Sequence, residues 1–268
     1  MKSFNRREAL QCAIQAASAA GTLMRRNLSS AKKIQSEVQF DIKLDLDVRC
    51  QRKIEQILHK SYPAIGTLGE EGSRGDLNAT YRWVVDPIDG TVNYAYGIPH
   101  ACVSIALQKS DSSASEGYRS EIGVVLDPFQ NEVWTAIRGQ AARLNGKVIR
   151  VSHRSRLKEV VLSMGFAKSK ATLDHSLPYF QQLIYRVRKM RIMGSAALAL
   201  TYVATGRLDA FIETGIRLWD VAAGGLIVEC AGGEFWVQSV KSQQLTYRMI
   251  ASNGRLRRAL TCVGGVKF

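Results

Sequence analysis

Apolar residues at helical spacing lie near the start of the chain. Five apolar or small residues recur every three or four positions, at Leu10, Ile14, Ala17, Gly21 and Met24. This spacing predicts an amphipathic first helix. Paired arginines followed by an alanine-rich run are also typical of a twin-arginine export signal. Because glutamine and serine side chains interrupt the apolar run, we interpret the segment as a helix of the folded domain.

Three patterns follow between residues 29 and 60. Residues 29–39 are mostly polar, which predicts an exposed loop. Residues 41–47 alternate charged and apolar side chains, which predicts a half-buried strand. Residues 48–60 carry apolar side chains on one helical face, so a helix is expected there. Asp47 lies near its start, where a carboxylate can cap the free N–H groups.

Short apolar runs and helical periodicities alternate irregularly over the rest of the chain. Strands are predicted at 83–85, 102–107, 122–126, 132–136, 160–164 and 209–213. Helices are predicted at 177–188, 195–205 and 221–230, and a hairpin at Asn145-Gly146. This irregular order favours an α+β fold, a layered sandwich with mixed sheets. The length predicts one domain over residues 1–268, with two packed halves that meet near residues 145–155.

Basic residues outnumber acidic ones. The 37 lysines and arginines against 23 aspartates and glutamates give a formal net charge of +14, which favours anionic substrates or a nucleic-acid partner. The basic residues are dispersed along the chain, and the sequence has no basic motif interleaved with aromatic residues. A solvated basic surface is therefore the simpler interpretation.

The five cysteines lie far apart and form no Cys-x-x-Cys pair. This pattern argues against a disulfide framework or a structural zinc site and favours a reducing compartment, so a cytoplasmic protein is expected. The sequence has no apolar run that approaches the roughly 20 residues needed to span a bilayer. No membrane partner is therefore expected.

Acidic residues stand at the junctions between predicted elements. Four of these positions are Glu70, Asp86, Asp89 and Asp220. Mg²⁺ prefers oxygen ligands from a few carboxylates and keeps other positions for water and substrate phosphate. Taken singly, the motifs around Glu70, Asp86 and Asp89 could also be turns with solvated acids, and Asp220 could be the N-cap of a buried helix. Together they predict a magnesium site.

Pro87 shapes the turn between Asp86 and Asp89. Because proline lacks an N–H, we expect it to take the chain out of the strand ladder and to let both carboxylates point into one site. The carbonyl of Ile88 then becomes a further oxygen ligand. Gly90 allows the backbone to approach an anion closely.

Four motifs carry a family resemblance. They are GEE at 69–71, WVVDPIDGTVN at 83–93, GSAA at 194–197 and WDVAAG at 219–224. With these motifs the chain resembles the inositol monophosphatases, especially their bacterial SuhB-type members, from about residue 10 to near the C-terminus. The resemblance implies a layered αβαβα sugar-phosphatase fold, usually dimeric, with lithium-sensitive catalysis by Mg²⁺.

The resemblance also implies roles for individual residues. The metal ligands would be Glu70, Asp86, the carbonyl of Ile88, Asp89 and Asp220. The catalytic residues would be Asp47 and Thr91, which help to activate the nucleophilic water, together with Glu70. The substrate would be bound by Gly90, Thr91, Gly194, Ser195, Ala196, Glu213 and Asp220. Within this set, backbone N–H groups of Gly90 and Thr91 would receive the phosphate, and Glu213 would contact substrate hydroxyls.

The loop before Asp47 departs from the family pattern. Ser36 stands where the family has lysine, and Lys43 and Leu44 stand where it has valine and threonine. These changes predict a weaker or differently gated loop, which would lower the activity or change the substrate.

The expected reaction is hydrolysis of a small phosphorylated polyol or sugar, and myo-inositol 1-phosphate is the favoured substrate. Fructose 1,6-bisphosphate, nucleotide 3′,5′-bisphosphates and histidinol phosphate are alternatives within the superfamily. A second class of function is a binding role, because SuhB-type proteins are associated with the transcription machinery and ribosomal RNA synthesis. The charge of +14 suits such contacts. Catalysis is the leading hypothesis, because a binding protein has no need of all five metal-site positions.

Overall fold

An alanine-rich helix begins the fold. The computed structural model describes residues 4–30, 34–38, 41–114, 117–166, 170–240, 244–263 and 266–267, and helix α1 spans Arg6–Asn27. The side chain of Asn5 caps this helix by accepting hydrogen bonds from the N–H groups of Arg7 and Glu8, at 3.0 and 3.3 Å. Small alanine side chains on its buried face let the helix lie close to its neighbours. The predicted amphipathic helix is confirmed.

A two-stranded hairpin follows α1. Strands β1 (Ile34–Val38) and β2 (Asp41–Leu44) pair antiparallel. The loop predicted at 29–39 is therefore wrong where β1 lies. Its polar sequence has no apolar period, and backbone pairing with β2 is what orders it.

Helix α2 spans Asp45–Ser61 and starts within the predicted strand at 41–47. The carboxylate of Asp47 accepts a hydrogen bond from the Leu44 N–H at 2.6 Å, which caps the first turn. The strand therefore ends at Leu44, three residues earlier than the alternating pattern predicted.

Eight strands form the larger sheet. In chain order they are β3 (Gly66–Gly69), β4 (Gly72–Arg74), β5 (Tyr81–Asp89), β6 (Cys102–Ser110), β7 (Tyr118–Asp127), β8 (Glu132–Ile137), β9 (Arg143–Leu144) and β10 (Lys147–Val148). Their spatial order is β10-β9-β8-β7-β6-β5-β3-β4, and only β3 and β5 pair in parallel among these neighbours. The predicted hairpin is confirmed, because Asn145 and Gly146 both have positive φ between β9 and β10.

Strand β5 passes through Pro87 and ends at Asp89, directly before the short helix α3 (Thr91–Ala95). The expectation that Pro87 takes the chain out of the ladder is therefore corrected. The register with β6 shifts between Asp86 and Asp89, and pairing resumes at Asp89. This bulge accommodates the missing N–H of proline without ending the strand.

Five strands form the smaller sheet, and four helices accompany it. The strands are β11 (Val161–Met164), β12 (Lys189–Arg191), β13 (Ala210–Arg217), β14 (Glu234–Ser239) and β15 (Thr246–Ser252), in spatial order β12-β11-β13-β15-β14. The helices are α4 (Lys170–Ile184), α5 (Ala196–Ala204), α6 (Leu218–Cys230) and α7 (Arg257–Thr261), besides a 3-10 turn at Leu157–Glu159 and a last hairpin of β16 (Cys262–Val263) and β17 (Val266–Lys267). The helix predicted at 177–188 starts earlier and ends at Ile184. The Arg188 N–H is instead bonded to the Val160 carbonyl, where the chain leads into β12.

The elements stack in five layers. Helices α1 and α2 pack on the outer face of the larger sheet, α5 and α6 lie between the two sheets, and α4 packs on the outer face of the smaller sheet. The predicted layered αβαβα arrangement with mixed sheets is confirmed. The chain passes from one sheet to the other over residues 149–160. Within the described ranges, no helix has both the length and the apolar character needed to cross a bilayer.

Candidate active site

A cleft of about 750 Å³ lies where β5 ends and where α3, α5 and α6 begin. All residues that the sequence analysis assigned to the site line this cleft: Asp47, Glu70, Asp86, Ile88, Asp89, Gly90, Thr91, Gly194, Ser195, Ala196, Glu213 and Asp220. They come from both sheets, from the helices between them and from the starts of α2 and α3. The fold therefore assembles one site from residues that are distant in sequence.

Three aspartates converge at the centre of the cleft. Asp86, Asp89 and Asp220 each offer a carboxylate oxygen, and these oxygens all lie within 4.8 Å of one another. Asp86 accepts a hydrogen bond from the Ile88 N–H at 3.0 Å, and Asp220 accepts one from the Arg217 N–H at 2.9 Å at the start of α6. Carboxylates this close repel one another unless they are protonated or share a cation. An all-oxygen donor set of this kind fits Mg²⁺.

Glu70 lies at the edge of the three aspartates. Burial, followed by the charge of Glu70, raises the pKa of Asp86, so Glu70 acts on the aspartate cluster. Although part of Glu70 faces the open cleft, protein atoms surround its carboxyl on the other sides. This burial, followed by the charge of Asp220, raises the pKa of Glu70 to about 8. Burial also raises the pKa of Asp86 and of Asp89, so a bound cation would stabilise the ionised forms.

The carboxylate of Asp89 is held by the first turn of α5. It accepts hydrogen bonds from the Ser195 hydroxyl at 2.6 Å and from the N–H groups of Ala197 and Ala196 at 2.7 and 3.2 Å. The Cys102 thiol donates a weaker one at 3.6 Å. Ser195 and Ala196, assigned from the resemblance to substrate binding, thus orient a candidate metal ligand. Neither spacing nor periodicity indicated this contact, because it joins two halves of the chain.

The carbonyl of Ile88 accepts a hydrogen bond from the Thr91 hydroxyl at 2.8 Å. A carbonyl oxygen has two lone pairs, so this bond leaves Ile88 able to act as a metal ligand. A hydroxyl carries one proton, and Thr91 directs it to Ile88. Its oxygen can therefore accept a hydrogen bond from a water. Asp47 lines the same cleft from the start of α2 and is almost fully buried.

Two glycines allow the β5–α3 turn and the loop before α5 to meet. Gly90 has φ of +92°, and a Cβ there would lie 2.9 Å from the His100 carbonyl oxygen. Gly194 has φ of +75°, and a Cβ there would lie 2.9 Å from the carboxamide of Asn93. That carboxamide donates to the carbonyls of His100 and Met193, each at 2.9 Å. Asn93, which has no predicted role in the site, therefore links the β5–α3 turn to the loop before α5 by hydrogen bonds.

Glu213 stands on the wall formed by the smaller sheet, on β13. A Cβ at Gly165 would lie 2.0 Å from a Glu213 carboxylate oxygen. The side chain of Glu213 thus occupies space that only glycine at position 165 leaves open. Gly165 carries no sequence signal of a site, because the contact depends on the alignment of two strands.

Lys43 was assigned only as a departure from the family pattern, and it lines the cleft. Its ammonium forms an ion pair with the carboxylate of Glu71. In the β1–β2 hairpin, Lys43 is the cross-strand partner of Ser36. The resemblance placed a lysine at position 36 on β1. The lysine of this chain is instead at the paired position on β2. Leu44, the second changed residue, is buried in the core.

Comparison with known proteins identifies the fold and the family. A model of the inositol monophosphatase family matches residues 5–262. The chain belongs to the inositol monophosphatase family. Among family members it is 39% identical over 230 residues to the Nus factor SuhB of Xylella fastidiosa, which covers 84% of this chain and 80% of that protein. It is 36% identical over 260 residues to inositol monophosphatase 1 of Solanum lycopersicum, covering 94% and 93%.

A solved structure of this family has the same fold. The crystal structure of the extragenic suppressor protein suhB from Bartonella henselae matches with a TM-score of 0.85 and 32% sequence identity, and the match covers 93% of this chain and 95% of that chain. The resemblance inferred from the four motifs is confirmed. The chain is therefore a member of a phosphatase family, and its candidate acidic residues line one cleft.

Proposed function

We propose that this protein hydrolyses a small phosphate monoester, most favourably myo-inositol 1-phosphate, with Mg²⁺ as its cofactor. The observation that carries this proposal is the convergence of Asp86, Asp89 and Asp220 within 4.8 Å. Glu70 adjoins them, and the Gly90–Thr91 turn lies in the same cleft. Carboxylates this close repel one another unless protons or a cation offset their charge, which favours a metal-binding role.

The four carboxylates and the Ile88 carbonyl would hold the metal. When bound, Mg²⁺ supplies positive charge that offsets the negative charge developing on the phosphoryl oxygens. The chain's own groups position the reactants. Backbone N–H groups at Gly90 and Thr91 receive the phosphate. The Thr91 oxygen accepts a hydrogen bond from the attacking water. The carboxylate of Asp47 and Thr91 together help to activate this water.

The alcohol part of the substrate would lie toward Glu213. A carboxylate accepts hydrogen bonds from hydroxyl groups but repels a second phosphate. Glu213 on this wall therefore favours a polyol monophosphate over a bisphosphate. Gly194 and Ala196 line the same cleft as Glu213 and the aspartates, and such small residues leave room for the ring.

Steady-state kinetics over a substrate panel tests the proposal. Phosphate release with Mg²⁺ is measured for myo-inositol 1-phosphate, fructose 1,6-bisphosphate, a nucleotide 3′,5′-bisphosphate and histidinol phosphate. We expect the highest kcat/KM for myo-inositol 1-phosphate, and inhibition by Li⁺. Faster turnover of another substrate would support the phosphatase activity but show that myo-inositol 1-phosphate is not the preferred substrate. No turnover of any of them, with Asp89→Asn indistinguishable from wild type, would overturn the enzyme itself.

A role in the transcription machinery is the second candidate. It is favoured by the relatives named Nus factor SuhB and by the formal charge of +14. Retention of ribosomal RNA or polymerase-associated factors, measured against salt for wild type and Asp89→Asn, tests it. Equal, salt-dependent retention of both proteins would support a binding role separate from catalysis. Absence of retention at low salt would contradict the binding role.

We further propose that the protein is a homodimer. Apolar side chains are exposed around the end of α4 and strand β12, at Ile184, Tyr185 and Ile192, and Tyr185 is 85% exposed. Strand β12 is also the outermost described strand of its sheet, so its outer edge is available for pairing. A second copy would cover this surface. Light scattering should give twice the chain mass for wild type and a lower mass for Tyr185→Glu.

A reducing compartment, and so the cytoplasm, is the proposed location. Cys12, Cys50, Cys102 and Cys230 are free thiols, and the first three are buried. Thiols of this kind persist where glutathione keeps them reduced. Cell fractionation that found the protein in an oxidising compartment would contradict this location.

A further inference from the structure

The ammonium of Lys43 lies at the outer edge of the acidic cleft. Lys43 stands on β2, just before α2, and pairs with Glu71, the residue that follows Glu70. The side chain of Glu71 is 7% exposed, whereas that of Lys43 is 40% exposed. The more exposed lysine therefore neutralises a nearly buried carboxylate at the edge of the cleft.

Glu71 is fixed at this position by its backbone. Its N–H donates to the Gln51 carboxamide oxygen at 3.0 Å, and the carboxamide nitrogen of Gln51 donates to the Gly72 carbonyl at 2.9 Å. Gln51 itself is buried on α2. The ion pair thus joins the hairpin to the turn that carries Glu70.

The charge of Lys43 acts on more than Glu71. The hydrogen bond with Glu71 is the main cause that raises the pKa of Lys43, and the charges of Asp47 and Glu70 add to it. Lys43 therefore stays positive at any physiological pH. Lys43 also lines the same cleft as Asp47 and Glu70, and its ion-pair partner Glu71 is adjacent in sequence to Glu70.

We propose that Lys43 is a built-in cation of the cleft that lowers the affinity of its Glu70 side for a divalent ion. This inference rests on the proposed metal site. Lys43 neutralises Glu71, so Glu71 adds little attraction for the metal, and the ammonium repels a second cation brought close to Glu70. Because the cleft is open to water, the repulsion is screened, and we expect a factor of about three to ten in affinity.

Calorimetric titration with Mn²⁺ tests this without any assay of hydrolysis. Wild type is compared with Lys43→Met, Lys43→Arg and the double variant Lys43→Met with Glu71→Gln. Lys53→Met is the matched control, because Lys53 is exposed on α2 and lies outside the cleft. All variants are first shown to have the wild-type circular dichroism spectrum.

We expect Lys43→Met to bind Mn²⁺ about three- to tenfold more tightly than wild type, with a smaller ratio at high salt. Lys43→Arg and Lys53→Met should bind like wild type, and the charge-balanced double variant should lie close to it. Equal or weaker binding by Lys43→Met, where wild type binds Mn²⁺, would overturn the inference alone. No Mn²⁺ binding by any of the proteins would overturn the proposed metal site and the inference with it.

Discussion

The hydroxyl of Ser195 donates a hydrogen bond to the carboxylate of Asp89 across 106 residues of sequence, at 2.6 Å. Asp89 ends a strand of the larger sheet, and Ser195 caps α5 between the two sheets. The N–H groups of Ala196 and Ala197 add two further bonds to the same carboxylate. The orientation of one candidate metal ligand is therefore set by the packing of the two halves.

Loss of this hydroxyl should reduce activity more than stability. In Ser195→Ala the carboxylate of Asp89 keeps its backbone donors but loses its shortest hydrogen bond. Partners that orient metal ligands are worth about 10- to 100-fold in metal affinity or activity. We expect kcat/KM to fall by about tenfold and the Mg²⁺ requirement to rise. Ser163→Ala is the control, because Ser163 is also buried beside the cleft but donates to the Arg191 carbonyl; an equal loss in both variants would contradict a specific role for Ser195.

The metal-free protein should become less stable as pH rises. The pKa of Glu70 is raised from 4.5 to about 8, and the pKa values of Asp86 and Asp89 are also raised. Between the ordinary and raised values the folded state binds more protons than the unfolded state, so the free energy of unfolding falls as pH increases. A bound cation removes this penalty by stabilising the ionised carboxylates.

Thermal unfolding with and without Mg²⁺ measures this effect. We expect Mg²⁺ to raise Tm by more near pH 8 than near pH 6, because protons compete with the metal for the carboxylates. Asp86→Asn should lose most of the increase, while Asp111→Asn, a change at a residue outside the cleft, should keep it. A Mg²⁺ effect that is independent of pH would contradict the account of these carboxylates.

A side chain at position 165 should displace Glu213. In Gly165→Ala the new Cβ would lie 2.0 Å from the Glu213 carboxylate, so that carboxylate must move. Loss of a hydrogen bond from a substrate hydroxyl to a charged group costs about 1.5–3 kcal/mol, which is roughly 10- to 150-fold in affinity. We expect KM for myo-inositol 1-phosphate to rise and kcat to change little. Hydrolysis of p-nitrophenyl phosphate, which has no such hydroxyls, should be unaffected; an equal loss for both substrates would contradict this role of Glu213.

The two halves should unfold together. Helices α5 and α6 pack against both sheets, and the bonds to Asp89 tie α5 to β5. Tryptophan fluorescence reports on the halves jointly, since Trp83 and Trp134 lie in the larger sheet and Trp219 and Trp236 in the second half. We expect fluorescence and far-ultraviolet circular dichroism to give one coincident transition. Two separate transitions would contradict the single domain predicted over residues 1–268.

Local patterns in the sequence predicted some elements and missed others. The central strands β6, β7 and β8 were predicted because they contain runs of apolar residues. The helix α6 was predicted because apolar and small residues surround it on all sides. Strands β14 and β15 were not predicted. Strands β1, β3, β4 and β12 were missed because their polar or glycine-rich segments become strands only through backbone pairing with neighbouring strands.

The same limit applies to the site. The acidic motifs pointed to the candidate ligands, because their residue types carry the chemistry themselves. The ion pair of Lys43 with Glu71, the cap of α5 on Asp89 and the space at Gly165 are contacts between separate elements. Contacts of that kind depend on how elements distant in sequence pack together, and local residue patterns carry no signal for them.

The dependence of phosphate release on Mg²⁺ concentration tests the central claim most directly. Wild type and Asp220→Asn are assayed with myo-inositol 1-phosphate, after removal of metal with a chelator. The account predicts no turnover without metal, saturable activation of wild type by Mg²⁺, and a loss of more than roughly 100-fold in Asp220→Asn. Turnover of wild type in the chelator, or wild-type activity in Asp220→Asn, would contradict it.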